Sequence, residues 1–321
     1  MHSGPAGKVR LSSGALSRHY EGFVRSLRRG APETRGTYER ALREFVRWCR
    51  SDRRCRFEEG DIIRYRAYLL GERGLSPVSV STYLTSVRRF CDYLIVHKVL
   101  RENPARRVGG GGRPARHTRH ALSPEQVAAL LEVVHPVDEM GLRDLAFIKL
   151  MLLCGLSEIE IVRADVGDLS LDLPCSTLRV QGKGRKEKDA VVQIPREVRE
   201  VLEQYLTVRD PGPVGSPLFA SAGNRTRGER MTTRGVRERV NHYLDRAGVK
   251  QGRMREITPY SLRHTAALMM AGAGASPDEI RQRMRLGSVV TAMLYVNQQE
   301  EEHPPSDAPA GRAPGQPSSK E

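Results

Sequence analysis

Apolar positions in the first hundred residues recur with the period of an amphipathic helix. Tyr38, Leu42, Phe45, Val46 and Cys49 fall at i, i+4, i+7, i+8 and i+11, a single stripe, while Arg40, Arg43, Arg47 and Arg50 occupy the remaining surface. A second stripe runs through Val80, Tyr83, Leu84, Val87, Phe90, Cys91 and Leu94, opened by Ser76 as N-cap and Pro77 at the first helical position. Between them, Asp61 to Leu70 predicts a shorter helix closed by Gly71 or Gly74. These stripes predict a helical bundle over 16–105, preceded by a disordered N-terminus over 1–15.

Residues 106–120 read RRVGGGGRPARHTRH, a basic, glycine-rich stretch with too little apolar area to bury, and predict a flexible linker. Beyond it the pattern changes. Ser123, Pro124 and Gln126 form a capping box, and Arg143 to Cys154 is apolar nearly all round, the mark of a buried helix stopped at Gly155. Thr177 to Gln181 and Ala190 to Pro195 are β-rich runs flanking Gly182-Lys183-Gly184-Arg185-Lys186, a hairpin signal. Helical spacing returns at Val198, Val201, Leu202 and Tyr205, and again at Val236, Val240 and Leu244. The second domain is thus mixed, mainly α with a small β-hairpin or sheet, over 121–298. From 299 to 321 the chain is acidic, Pro-rich and predicted to be disordered.

Charge sharpens this division. The 321 residues carry 53 Lys or Arg and 38 Asp or Glu, a formal net charge of +15. Residues 1–120 hold 26 basic and 11 acidic side chains and residues 121–321 hold 27 of each, so the whole excess lies in the first part. Arginine outnumbers lysine 45 to 8, as a GC-rich genome would impose, but that bias does not make base exceed acid. The excess points to an anionic partner, with nucleic acid the commonest. No apolar run approaches the ~18–20 residues needed to cross a bilayer, and Met1 to Ala15 lacks the apolar centre of a secretory signal. Five scattered cysteines, Cys49, Cys55, Cys91, Cys154 and Cys175, include no CxxC pair, which supports neither a disulfide framework nor a thiolate zinc site and fits a reducing cytoplasm.

Three features of the second half could do chemistry. Lys183, Lys186 and Lys188 concentrate three of eight lysines at one hairpin, where a glycine-flanked Lys183 can enter a groove as a phosphate charge or proton donor. Thr258 and Pro259 start a helix that sets Tyr260 and Arg263 one turn apart near an N-terminus that favours an anion. Tyr295 lies near the end of the folded part.

The order GLS at 155, GKGRK at 182, PYSLRHT at 259 and a tyrosine at 295 resembles the tyrosine recombinase family of phage integrases and Xer-type enzymes. The pattern there is GLRxxE, GKGxK, HxLRHT, then LGH with a tyrosine nine residues beyond the histidine. From Arg263 to Leu286 is 23 residues and from Leu286 to Tyr295 is 9, the family's spacing. TRGTYERALREFVRWCR, GLSPVSVSTYLTSVRRFCDYL and ENPARRV resemble its core-binding domain, so the likeness spans about 20–298.

That resemblance implies a SAM-like helical core-binding bundle and an α+β catalytic domain enclosing duplex DNA, acting as a homotetramer on two DNA sites, alone or with a related recombinase. It implies a covalent 3′-phosphotyrosine intermediate, with no metal or other cofactor. By position Tyr295 is the nucleophile, Lys183 the general acid and Arg263 one of two arginines on the phosphate. Arg40, Arg43, Arg47, Arg88, Arg89, Lys186 and His264 are expected to contact DNA.

Three positions depart from the pattern: Ser157 stands at the first arginine, Tyr260 at the first histidine and Leu286 at the second. Tyr260 keeps a hydroxyl, and Leu286 can only pack. Ser157 replaces a charged bidentate fork with a short neutral group, and losing one preorganised donor costs about 3–4 kcal/mol, or about 10²–10³ in rate. Among the arginines that could substitute, Arg163, six residues on, is rotated by about 240° if the helix continues. Arg185 is therefore the first candidate and Arg285, beside Leu286, the second. Two readings follow: a recombinase with a rearranged phosphate clamp, or a relative with weakened or absent cleavage that acts as an architectural or regulatory DNA-binding protein.

Overall fold

The computed structural model describes residues 9–27, 32–52, 55–110, 120–182, 184–223, 226–250 and 257–302. The chain divides into two compact units, Met1–Pro114 and Ala115–Glu321.

Among the described residues the first unit's regular elements are all helices: α1 (Ser13–Ser26), α2 (Pro32–Ser51), α3 (Glu59–Gly71) and α4 (Pro77–Val96). The α2 and α4 stripes meet in its core, where Leu42, Phe45, Val80, Leu84, Phe90 and Leu94 are buried together with Ile62, Tyr65 and Leu69 of α3. Ser76 caps α4 by accepting the Ser79 N–H at 3.3 Å. Order begins earlier than expected. Residues 13–15 already belong to α1, because Ser12 caps that helix and Leu16 and Phe23 anchor it in the core. Ahead of it Val9 and Leu11 also pack against that core, and residues 1–8 of the expected disordered N-terminus lie outside the described residues.

The glycine-rich linker also begins later than its composition suggests. Val108 is buried in the core of the first unit, and a Cβ at Gly110 would collide with the backbone of Ser81 on α4. Arg88 accounts for this: its Nε donates to the Ala105 carbonyl at 3.1 Å, its Nη2 to the Val108 carbonyl at 2.8 Å and its Nη1 to Thr85 Oγ1 at 3.3 Å. An arginine expected to grip DNA instead clips residues 105–108 onto α4. Replacing Arg88 with Ala is expected to destabilise this unit by about 2 kcal/mol through loss of charge-assisted bonds to carbonyls. Denaturant unfolding followed by the fluorescence of Trp48, the chain's single tryptophan and buried in this unit, measures the loss. Tryptic cutting at Arg106 and Arg107 should accelerate in parallel.

The second unit comprises α5 (Pro124–Glu132), α6 (Glu139–Leu153), α7 (Glu158–Arg163), β1 (Leu169–Ser170), β2 (Thr177–Val180), β3 (Ala190–Gln193), α8 (Arg196–Val208), α9 (Thr233–Arg246), α10 (Pro259–Gly272), α11 (Pro277–Arg283) and α12 (Val289–Glu302). The strands form an antiparallel sheet in the order β1-β2-β3, with Leu178 opposite Val192 and Val180 opposite Ala190. Leu178 and Val180 face the core and Arg179 faces out, the alternation expected of a half-buried strand. The two-residue β1 is too short to leave a pattern, so the sequence shows only the hairpin. Helix α6 is buried nearly all round, packed between α8 and α10. Helix α12 runs through residues 299–302, where disorder was expected; the rest of the tail lies outside the described residues. No helix among the described residues is long and apolar enough to cross a membrane.

Candidate active site

The candidate residues converge where three stretches of the second unit meet: the turn from α6 into α7, the first turns of α10, and the junction of α11 with α12. Helix α6 ends at Cys154 and the chain reverses through Gly155, which holds φ +60°. Ser157 is the N-cap of α7, its backbone N–H and its hydroxyl each donating to Glu160 Oε2 at 2.8 Å. The short side chain at the expected arginine position is thus committed to capping its own helix.

Glu160, only 2% exposed, is the hub. Arg263 Nη1 donates to its Oε2 at 2.9 Å and also to the Gly155 carbonyl, while Nη2 reaches the Met284 carbonyl. Arg285 approaches the same carboxylate: Nε donates to Oε1 at 2.5 Å and Nη2 to Oε2 at 3.1 Å. The other contacts of Arg285 are Nη2 to the Gly155 carbonyl at 2.8 Å and Nη1 to the Arg283 carbonyl at 2.5 Å. Burial pushes the Glu160 carboxyl up, but the Arg285 hydrogen bond and the charges of Arg263 and Arg285 outweigh it and hold the group below its ordinary range.

Tyr295 lies on α12, 2% exposed, with its ring 5.0 Å from that of His264. It sits in an apolar cluster with Ala266, Ala267, Met270, Met284 and Ala292, against which Leu286 packs. Burial, then the proximity of Tyr260, pushes its phenol up, while Arg263 acts in the opposite direction. Tyr260, half-buried in the first turn of α10, is therefore within electrostatic reach of Tyr295, as is Arg263. Ser157, Arg263, Tyr260, Leu286 and Tyr295 share one neighbourhood, and Arg285 joins them there.

Lys183 lies outside the described residues. The backbone before it is fixed, since Arg163 Nη1 donates to the Gly182 carbonyl at 3.1 Å, which is where the rotated arginine goes. Lys188 is not at the tip but anchors the hairpin base, bonded to Asp165 at 2.5 Å and to Asp168. Arg185, the first candidate for the missing charge, is exposed and pairs with Asp189 at 3.3 Å rather than with Glu160, although both side chains border Gly182. Arg285, the second, is the one at the site.

Of the residues expected to contact DNA, Arg40, Arg43, Arg47, Arg89 and Lys186 are exposed, with Arg43 paired to Glu39 at 2.8 Å and Arg47 to Glu44 at 3.1 Å. His264 is the exception. At 1% exposure it packs on Tyr295 and has no surface to offer a duplex. Glu160 is the residue at the centre of the cluster that motif reading left without a role, although the Ser-x-x-Glu capping box and the GLRxxE pattern both mark it. Among the described residues no group of three or more His, Cys, Asp or Glu is placed to hold a metal ion.

The arrangement can bind an anion between two guanidiniums beside a buried phenol. Known proteins share its framework. Residues 120–302 match the phage integrase family, and residues 19–99 match the phage integrase N-terminal SAM-like domain. The chain is 28% identical over 298 residues to the tyrosine recombinase XerC of Leptospira interrogans, covering 91% of this chain and 92% of that protein. It is 28% identical over 289 residues to XerC of Serratia marcescens, covering 88% and 91%. Its fold is similar to that of the XerH site-specific recombinase bound to a palindromic difH substrate, with a TM-score of 0.70 at 18% identity over 91% of this chain and 83% of that one. The Tn1549 transposon integrase in complex with transposon right end DNA gives a TM-score of 0.67 at 17% identity, over 89% and 98%.

Proposed function

Because the chain belongs to the phage integrase family, we propose that it is a DNA recombinase that binds duplex DNA and breaks and rejoins strands through a 3′-phosphotyrosine at Tyr295. The Tyr295 hydroxyl gives up its proton to water as its oxygen attacks the scissile phosphorus, the new O–P bond replaces the bond to the 5′-oxygen, and Lys183 gives that leaving oxygen its proton. A 5′-hydroxyl of the partner strand then reverses the step. One phosphodiester-type bond forms for each that breaks, so the exchange needs no energy input. Arg263 holds the phosphate, and Tyr260 donates a hydroxyl hydrogen bond to it. The exposed Arg40, Arg43, Arg47 and Arg89 of the first unit, and Lys186 of the hairpin, contact the DNA backbone. The protein works in the cytoplasm as a tetramer on two DNA sites.

One observation carries this reading: Arg263 and Tyr295, far apart in the sequence of the second unit, lie within electrostatic reach of one another beside a buried carboxylate. The experiment starts from duplexes selected out of a random-sequence library by binding to the full chain. A set of these is made with a nick stepped along the site, so that a cleaved end diffuses away and traps the intermediate. A covalent protein–DNA adduct on denaturing gels is expected. If the selected duplexes are bound and no nick position yields an adduct, the protein is instead a DNA-binding relative without strand cleavage, the reading that the use of Ser157 as a helix cap favours.

A further inference from the structure

We propose that Arg285 supplies the second guanidinium that holds the scissile phosphate, doing from the α11–α12 junction what Ser157 cannot. This assignment rests on the recombinase reading for its substrate, and on the geometry around Glu160 for everything else.

Charge balance is the first argument. Arg263 and Arg285 carry two positive charges and share Glu160, the one acidic group among the described residues that pairs with either. The side chains of Arg263, Arg285 and Glu160 are 9%, 10% and 2% exposed, so one unit of positive charge remains largely out of water without a partner. Such an excess is costly unless an anion neutralises it. Donor geometry agrees. Each guanidinium has five N–H groups; Arg263 has two, and Arg285 one, for which no acceptor occurs among the described residues. Glu160 and the carbonyls of Gly155, Arg283 and Met284 hold the two forks so that the unused N–H groups are preorganised. Arg263 is also the cation that acts on the Tyr295 phenol, so an anion held here lies within electrostatic reach of that hydroxyl.

Backbone strain is the second, independent argument. Arg285 sits at φ +53°, a left-handed conformation that glycine adopts freely and a Cβ-bearing residue does not. The guanidinium is held at Glu160 and at the Gly155 and Arg283 carbonyls rather than released to solvent. The junction would be easier to build with glycine, yet it carries a side chain whose head lands on Glu160 beside Arg263. A strained residue aimed at a site is a pointer to function.

The assignment separates from a structural role because Arg285→Gly relieves strain and leaves Glu160 paired with Arg263 and Ser157. On the selected nicked duplex at saturating protein, and below the melting transition of each protein, Arg285→Gly is expected to form adduct about 10²–10³-fold more slowly than wild type, beyond any stability lost with the Arg285 bonds to Glu160, Gly155 and Arg283. The slope of log affinity against log salt should fall by about one phosphate contact. Arg285→Lys should keep the wild-type slope, and adding Ser157→Arg to Arg285→Gly should recover at least about tenfold of the lost rate, as expected when one guanidinium replaces another. Adduct rate and salt slope both within about twofold of wild type in Arg285→Gly would overturn the assignment. If the wild-type protein binds the duplex and forms no adduct, the recombinase reading fails, and the slope still decides: a decrease in Arg285→Gly supports the anion contact and an unchanged slope rejects it. Should Arg285→Gly fold poorly, Arg285→Lys and the Ser157→Arg, Arg285→Gly double variant carry the same comparison.

Discussion

Tyr295→Phe is expected to fold, to bind the selected duplex with wild-type affinity and salt dependence, and to form no covalent adduct. The ring does the packing: it lies against His264 at 5.0 Å and among the small apolar side chains of α10 and α12, and phenylalanine preserves that shape. The stability change should stay within about 1.5 kcal/mol, the range of volume-conserving core changes. The lost hydroxyl is the attacking atom. Removing a covalent nucleophile costs on the order of 10⁶ in rate elsewhere, so the adduct should drop below detection. The experiment also bears on the raised phenol. A Tyr295 held protonated by burial attacks as the neutral phenol and must shed its proton as the O–P bond forms, so the wild-type adduct rate should rise with pH well above neutrality. A flat profile across that range would mean that proton loss does not limit the step.

Glu160→Gln is expected to be the most destabilising single change at the site. A neutral amide leaves Arg263 and Arg285 facing each other without a counter-charge, and breaking a buried ion pair on one side costs about 3–5 kcal/mol. Helix α7 also loses the charged acceptor of Ser157. The loss should have a distinctive pH dependence. Glu160 is held below its ordinary value of 4.5, so in the wild type its contribution is complete above that pH and disappears as the pH falls through the folded-state value. Glutamine does not titrate, and the stability gap between the two proteins should narrow under acid. The probe must report on the correct unit. Trp48 lies in the first unit, so its fluorescence transition should stay in place while the far-ultraviolet dichroism of the second unit's helices shifts. A parallel shift of both signals would show that Glu160 acts on the whole chain rather than on the site.

The long helices were legible because each obeys one period and carries its own punctuation. Ser76-Pro77 and Ser123-Pro124 start α4 and α5, and Gly155 stops α6. The stripes through Phe45 and Phe90 identify the residues that meet in the core. Reading failed where a residue's role depends on a neighbour distant in sequence. Nothing local distinguishes Arg88 from Arg89, yet one clips the chain to α4 and the other is exposed over the Tyr38 ring. Val108 and Gly110 belong to a composition that says linker, and only the fold shows that they are packed, Val108 in the core and Gly110 against Ser81. At the site, linear spacing placed Arg263, Leu286 and Tyr295 together. It could not rank Arg185 against Arg285, because both stand beside a motif and only folding brings one of them to Glu160, 125 residues away.

Leu286 affects how long a covalent intermediate would last. A phosphotyrosine has two fates: the 5′-hydroxyl of a partner strand returns it to intact DNA, whereas water leaves a permanent break. Water needs a base to compete, and at this junction Leu286 supplies none, which leaves the buried His264 imidazole, 5.0 Å ring to ring, as the basic side chain beside Tyr295. Leu286 thus adds no base for the attack by Tyr295 and none for hydrolysis of its product.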